Sequence, residues 1–252
     1  MIVKLLKITF FYISGLYLAL LFLVSSLAFF PVAFFLRYVT CWFDRRLVIL
    51  NVFTSFWASC YTWLSPLWSV VITGREHVDR RRVYVFVCNH QSMLDIPVIF
   101  RTFLNFKWVA KSSLFKIPVI GWNMWLNRSI KIERSSVTSQ RKMLARCVKN
   151  IQNGSSIMIF PEGTRSGSSE MRAFKEGAFL IALQEKTDIV PIALDGSYKA
   201  FNGSKQKIYL NILQPITYET FKDMTVRQLT CYVRSVIEDE LVKIREKCNN
   251  NK

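Results

Sequence analysis

Residues 83–95 read VYVFVC-NHQSMLD, and this stretch decides the fold. Residues 83–88 are a short apolar run with three valines, the composition of a strand buried on both faces. The polar segment that follows, Asn89-His90-Gln91-Ser92-Met93-Leu94-Asp95, reads as a strand-to-helix turn. Ser92 is placed to cap a helix, and Asp95 falls in its first turn. On one continuous helix His90 and Asp95 would stand about 140° apart and never meet. Across a turn, the carboxylate can reach back to the imidazole. Such a pair holds one tautomer and stabilises the cation formed when the other nitrogen takes a proton, which makes a general base. On the spacing alone, a structural histidine is the preferred reading.

Working outward, residues 106–110, 157–160 and 189–194 repeat the short apolar pattern. Helical stretches fall between them. The clearest covers 138–153, with Leu144, Cys147, Val148 and Ile151 on one face, Ser135, Ser136 and Thr138 as N-cap candidates and Gly154 at its end. A last helix is expected over about 225–247, followed by the polar tail CNNNK. Strands alternating with helices predict an α/β domain over residues 74–252, with a mostly parallel or mixed sheet covered by helices.

Residues 1–73 differ in kind. Residues 8–36 carry no charge, and as a helix these 29 residues would reach about 44 Å, more than the ~30 Å hydrocarbon core of a bilayer. Gly15 and Pro31 are candidate breaks. A second uncharged stretch, 47–73, places Asn51, Ser55, Ser59, Thr62, Ser69 and Thr73 at helical steps, with Pro66 in register. Trp57, Tyr61, Trp63 and Trp68 lie off or beside that stripe and favour the headgroup level. The reading is a membrane-attached two-helix segment, one helix embedded and one amphipathic helix that either lies in the interface, the preferred placement, or packs its small stripe on another helix.

Composition narrows the function. The 252 residues carry Lys+Arg 34 against Asp+Glu 17, for a net charge of +17, and are 51% hydrophobic. Their mean hydropathy is +0.22. Disorder, collagen and a disulfide-rich miniprotein are excluded. Basic and apolar together suit a protein on an anionic membrane face. Residues 101–175 hold fourteen basic and three acidic side chains, the densest positive stretch and a candidate site for anionic substrates. No nucleic-acid reader motif accompanies the charge. Six scattered cysteines without a CxxC pair, beside only His77 and His90, leave no metal-ligand pattern and suggest free thiols in a reducing compartment.

A second constellation, Phe160-Pro161-Glu162-Gly163-Thr164-Arg165-Ser166, directly follows an expected strand. Gly163 allows close backbone approach, Arg165 presents a planar fork to phosphate, and Thr164 and Ser166 add donors. No Gly-x-Ser-x-Gly elbow is present, so the base would act on a hydroxyl of the substrate.

In order and spacing, His90-x4-Asp95, the block from Lys111 to Arg134, residues 160–166 and Val190-Pro191-Ile192 resemble the four motifs of the glycerolipid acyltransferases. The likeness is greatest to the bacterial 1-acylglycerol-3-phosphate (lysophosphatidic acid) type and runs from about residue 74 to 215. It implies that His90 deprotonates a glycerol hydroxyl with Asp95 as its orienting partner. It implies direct attack on a thioester, with acyl-CoA or acyl carrier protein as donor and with neither metal nor cofactor. Glu162, Gly163, Thr164, Arg165 and Ser166 correspond to the glycerol-phosphate site, Lys111 and Arg134 to acceptor-binding positions, and Pro191 to a residue shaping the channel. Backbone amides near Gly163 are the expected oxyanion donors. Arg128, Lys131 and Glu133 depart from the usual second motif and raise the alternative of another lysophospholipid or a lyso-aminolipid as acceptor. A membrane-surface binding protein with vestigial motifs is the rival from another class. The resemblance implies phospholipid membrane and lysophosphatidic acid as partners. It also implies a place at the inner (cytoplasmic) membrane, with the catalytic domain facing the cytoplasm.

Overall fold

The computed structural model of the chain describes residues 2–202 and 204–250, without the side chains of residues 2–8, 11, 249 and 250. In chain order the elements are α1 (Ile2–Val39), α2 (Val48–Trp63), β1 (Trp68–Thr73), β2 (Val85–Cys88), α3 (Asp95–Phe100) and β3 (Phe106–Lys111). Then follow α4 (Ile120–Leu126), β4 (Ile130–Ile132), α5 (Val137–Gln152), β5 (Ser156–Ile159) and α6 (Gly177–Gln184). The chain ends with β6 (Ile189–Asp195), β7 (Gln206–Ile212), α7 (Tyr218–Phe221) and α8 (Val226–Asn250). Asn251 and Lys252 of the expected tail lie outside the described residues.

The strands form one sheet in the order β1-β7-β6-β2-β5-β3-β4. From β6 to β4 the pairs are parallel; β7 runs antiparallel to β6, and β1 runs parallel to β7. The expected mixed α/β sheet is therefore present. Alternation within β2 explains its double burial. Val85 and Val87 face a core built with α5, α6 and α8, whereas Phe86 and Cys88 face Val98 and Ile99 of α3 together with Phe106 and Trp108. Parallel strands end at one edge of the sheet, the usual place for a ligand crevice in an open α/β fold. His90, Pro161 and Gly196 follow the ends of β2, β5 and β6 there.

The two N-terminal helices pack antiparallel. Phe29 meets Phe53 and Trp57, and Phe22 meets Tyr61. Pro31 does not interrupt α1, and its residues Tyr12–Val39 are apolar and long enough to cross a membrane, with a mean hydropathy of 2.4 over an 18-residue window within them. Along α2 the small stripe Asn51, Ser55, Ser59 and Thr62 is buried, and the helix lies against α3. Ile49, Val52, Phe56 and Trp63 point outward.

The stripe does not continue as helix to Thr73. Pro66 lacks an amide hydrogen and forces its predecessor out of helical geometry, and α2 stops at Trp63. The next residues, WSVVIT, include four β-branched side chains directly after Ser69 and pair with β7, so the sheet begins before residue 74.

Candidate active site

At the end of β2 the Asn89 side chain replaces a missing rung of the ladder. Its Nδ2 donates to Leu194 O and its Oδ1 accepts from Leu194 N, each at 2.8 Å. The chain can then leave the sheet without orphaning β6. His90 Nδ1 meets Asp95 Oδ2 at 2.7 Å, so the pair read from the sequence is assembled. Asp95 is fully buried, and its Oδ2 also accepts the amides of Gln91 and Ser92 at 2.7 and 2.9 Å. The Ser197 hydroxyl donates to Oδ1. Four donors around one carboxylate fix its plane and hold the imidazole by it. The ring also lies flat on Phe160, with centroids 3.9 Å apart and planes at 9°. With Nδ1 engaged, Nε2 is the nitrogen left for a substrate proton. Ser92 is not the helix cap: Leu94 holds that position without a side-chain bond, and Ser92 Oγ accepts Leu94 N at 3.3 Å.

Glu162 has a role that its sequence position did not suggest. Its Oε1 accepts His90 N at 2.7 Å and its Oε2 accepts Arg172 N at 2.9 Å. Both oxygens therefore tie backbone to backbone. Burial pushes its carboxyl pKa up, against the lowering effect of the two amide bonds. Ser166 N donates to His90 O at 2.8 Å and Gly167 N to Gln91 O at 3.2 Å, which zips the two loops together. Gly163 adopts φ 73°, and its amide donates to Phe160 O at 3.1 Å. That amide is thereby closed to the oxyanion role expected of it.

Beside this loop opens a cleft of about 520 Å³ lined by Arg134, Glu162, Gly163, Thr164, Arg172, Ala173 and Lys175. The Arg134 pKa is lowered, first by burial and then by the nearby Arg165 cation. An anion seated between the two cations would relieve that repulsion. A second cavity of about 150 Å³ shares Arg134, Gly163 and Lys175 with the cleft; Val109, Ile132, Met143, Leu144 and Ile159 are among its apolar walls.

Alternation on the edge strand β4 separates the motif departures from the site. Ile132 and Arg134 line the second cavity, whereas Lys131 and Glu133 are exposed. Arg128 has φ 56°, the left-handed conformation that explains a preference for glycine there. Lys111 stands exposed at the end of β3, in register with Ile132. Ser166 Oγ donates to Ser168 O at 3.0 Å. Pro191 is buried within β6 opposite Val87 and lines neither cavity. Ser197, Arg172 and Asn89 were not singled out from the sequence.

Among the described residues, no group of three His, Cys, Asp or Glu side chains is placed to hold a metal ion. The structure thus sets a carboxylate-held imidazole beside a cleft that carries Arg134, Arg172 and Lys175. Residues 69–195 match the acyltransferase family, and the chain belongs to it. A 1-acyl-sn-glycerol-3-phosphate acyltransferase of Chlamydomonas reinhardtii is 37% identical over 166 residues, 65% of this chain and 49% of that protein. One from Haemophilus influenzae is 26% identical over 190 residues, covering 73% of this chain and 79% of its own length. The chain spans about half the length of several curated relatives it matches. The fold is that of the 1-acyl-sn-glycerophosphate acyltransferase PlsC from Thermotoga maritima, at a TM-score of 0.78 and 22% identity over 95% of this chain and 98% of that one.

Proposed function

We propose that this chain transfers a fatty acyl group from a thioester donor to the free hydroxyl of 1-acylglycerol-3-phosphate, forming phosphatidic acid. The observation that carries the reading is the His90–Asp95 contact at 2.7 Å, joined through Glu162 and the zipped loops to a cleft bearing Arg134, Arg172 and Lys175. His90 Nε2 takes the hydroxyl proton as the oxygen attacks the thioester carbon, and Asp95 stabilises the imidazolium. The tetrahedral oxyanion then collapses, the C–S bond breaks, and the imidazolium returns the proton to the leaving thiolate. No acyl-enzyme forms and no metal is required. With the Gly163 amide occupied, the amides of Thr164 and Arg165 are the loop's candidates for the oxyanion. Arg165 and Arg134 bind the acceptor phosphate, with Arg172 and Lys175 supporting them.

The donor is acyl-CoA or acyl carrier protein, both acidic and both suited to the basic surface. Helix α1 attaches the chain to the inner membrane with the catalytic part on the cytoplasmic side. A different lysolipid acceptor, suggested by Arg128, Lys131 and Glu133, is disfavoured because all three are exposed and line neither cavity. The test is an acceptor panel with detergent-purified protein, one labelled acyl-CoA and His90→Ala as control. Selective acylation of lysophosphatidic acid, lost in the variant, is the expected result. Preference for another lysolipid would overturn the acceptor assignment. Silence with both acyl-CoA and acyl carrier protein would favour a membrane-surface binding protein.

A further inference from the structure

The acceptor proposed above is a bilayer lipid, and the outer face of α4 is built to meet one. Ile117 and Ile120 are exposed there, with Trp122 at 52% and Trp125 at 66% of their surface open. The helix is nevertheless fixed in the fold: Leu126, one turn from Trp122, packs with Ala33, Leu47 and Leu50, and the half-exposed Trp122 ring has its centroid 5.5 Å from that of Phe30 on α1. A Cβ on Gly121 would lie 2.3 Å from Phe115 O, so only glycine lets α4 close onto the preceding turn. The exposed tryptophans are therefore held outward by a rigid base.

Two features say what covers them. The face joins α1 at the Phe30–Trp122 contact, and one turn further along that helix Phe34 and Phe35 are also exposed. It also lies in a purely basic part of the chain. Residues 96–132 contain no Asp or Glu, while Lys111, Lys116, Arg128 and Lys131 are exposed before and after α4. Apolar and indole side chains flanked by cations fit the headgroup zone of an anionic bilayer, where indoles concentrate and basic side chains meet lipid phosphates.

We propose that α4 and the turn before it form a membrane-contact segment seated on an anionic phospholipid surface. This rests on the reading that α1 attaches the chain to a membrane. It adds a reason for the site's location, because α4 joins β3, which ends at Lys111, to β4, which leads into Arg134. A bilayer against α4 brings both cations to the level at which an acceptor phosphate emerges.

The experiment uses the full chain reconstituted into phosphatidylcholine–phosphatidylglycerol vesicles, with or without lipids brominated high on the acyl chain. The fluorescence difference between the parent and Trp122→Phe/Trp125→Phe isolates the two indoles, and bromolipid is expected to quench that difference strongly. In parallel, Trp122→Ser/Trp125→Ser is expected to lose about tenfold in kcat/KM for acceptor presented in vesicles. It should keep the parent rate on acceptor in detergent micelles, which also shows that it folds. Vesicle flotation with unquenched Trp122 and Trp125 would overturn the proposal and leave α1 attachment intact. Failure to float at all would overturn the attachment reading and this one with it. Unquenched indoles together with a dimer that the serine variant dissociates would assign the face to a second copy of the chain.

Discussion

In Glu162→Gln, one oxygen of a buried carboxylate becomes an NH2 group while the shape is kept. Glu162 accepts His90 N at 2.7 Å and Arg172 N at 2.9 Å, so the amide group satisfies one of these donors and confronts the other. A hydrogen bond to a charged acceptor contributes ~1.5–3 kcal/mol, and a deserted buried N–H costs ~1–3 kcal/mol more. With partial relaxation, the expected net loss is ~3 kcal/mol. Each kcal/mol moves the Tm of a chain this size by ~2–4 °C, so the midpoint should fall by ~6–12 °C. Because the lost bond loosens the joint between the His90 turn and the anion-binding loop, kcat/KM should fall by about 100-fold, equivalent to ~2.7 kcal/mol. The assay pairs thermal unfolding followed by tryptophan emission with acyl-transfer kinetics on phosphate-bearing and phosphate-free acceptors. A strut lowers both acceptors alike. An unchanged Tm with a raised KM for the phosphate-bearing acceptor alone would refute the reasoning and make Glu162 a substrate ligand.

Other expectations follow the same geometry. Ser197→Ala removes the hydroxyl on Asp95 Oδ1 and should lower kcat/KM about tenfold with little change in KM; an unchanged rate would deny it a positioning role. Arg165→Ala should weaken phosphate-bearing acceptors by ~1.5–3 kcal/mol, and equal loss on a phosphate-free acceptor would mark the residue as structural. If His90 is the base, kcat/KM should fall about tenfold per pH unit on the acid side, whereas a flat profile down to about pH 5 counts against it.

Lys107 gives a stability test away from the site. Burial, and then the Arg128 charge, lowers its ammonium pKa from 10.5 to about 8. Between those values the unfolded chain holds a proton that the folded chain has released, so stability rises with pH across the window. Below it the buried charge costs ~3 kcal/mol. The stability difference between Lys107→Met and the parent should therefore shift in the parent's favour from pH 8 to 10.5. A difference constant over that range, measured by denaturant midpoints, would show that the shift is absent.

The legible parts of the molecule were local ones. β2 and the His90 turn lie within thirteen residues, and the hydrophobic period of α5 survives to within one residue at each end. β1 was hidden because Ser69 and Thr73 continue the three-and-four spacing of the α2 stripe, and only Pro66 marked the break. β4 and β7 were not read as strands. β4 has three residues, and in β7 the buried Ile208, Leu210 and Ile212 alternate with polar and aromatic positions. At the site, Ser197 lies 102 residues from Asp95 in sequence, and nothing in its neighbourhood announces that contact. Glu162 was found, but its partners are backbone amides, which leave no trace in residue identity.

The backbone zipper from Ser166 to His90 and from Gly167 to Gln91 has a geometric consequence. The proton acceptor and the anion-binding loop cannot drift apart independently, so the span between them is a constant of the molecule. Under the mechanism proposed above, acceptors would then be sorted by how many bonds separate their hydroxyl from their phosphate. A vicinal arrangement engages both ends at once, while homologation of the glycerol backbone by one methylene leaves one end empty whatever fatty chain is attached.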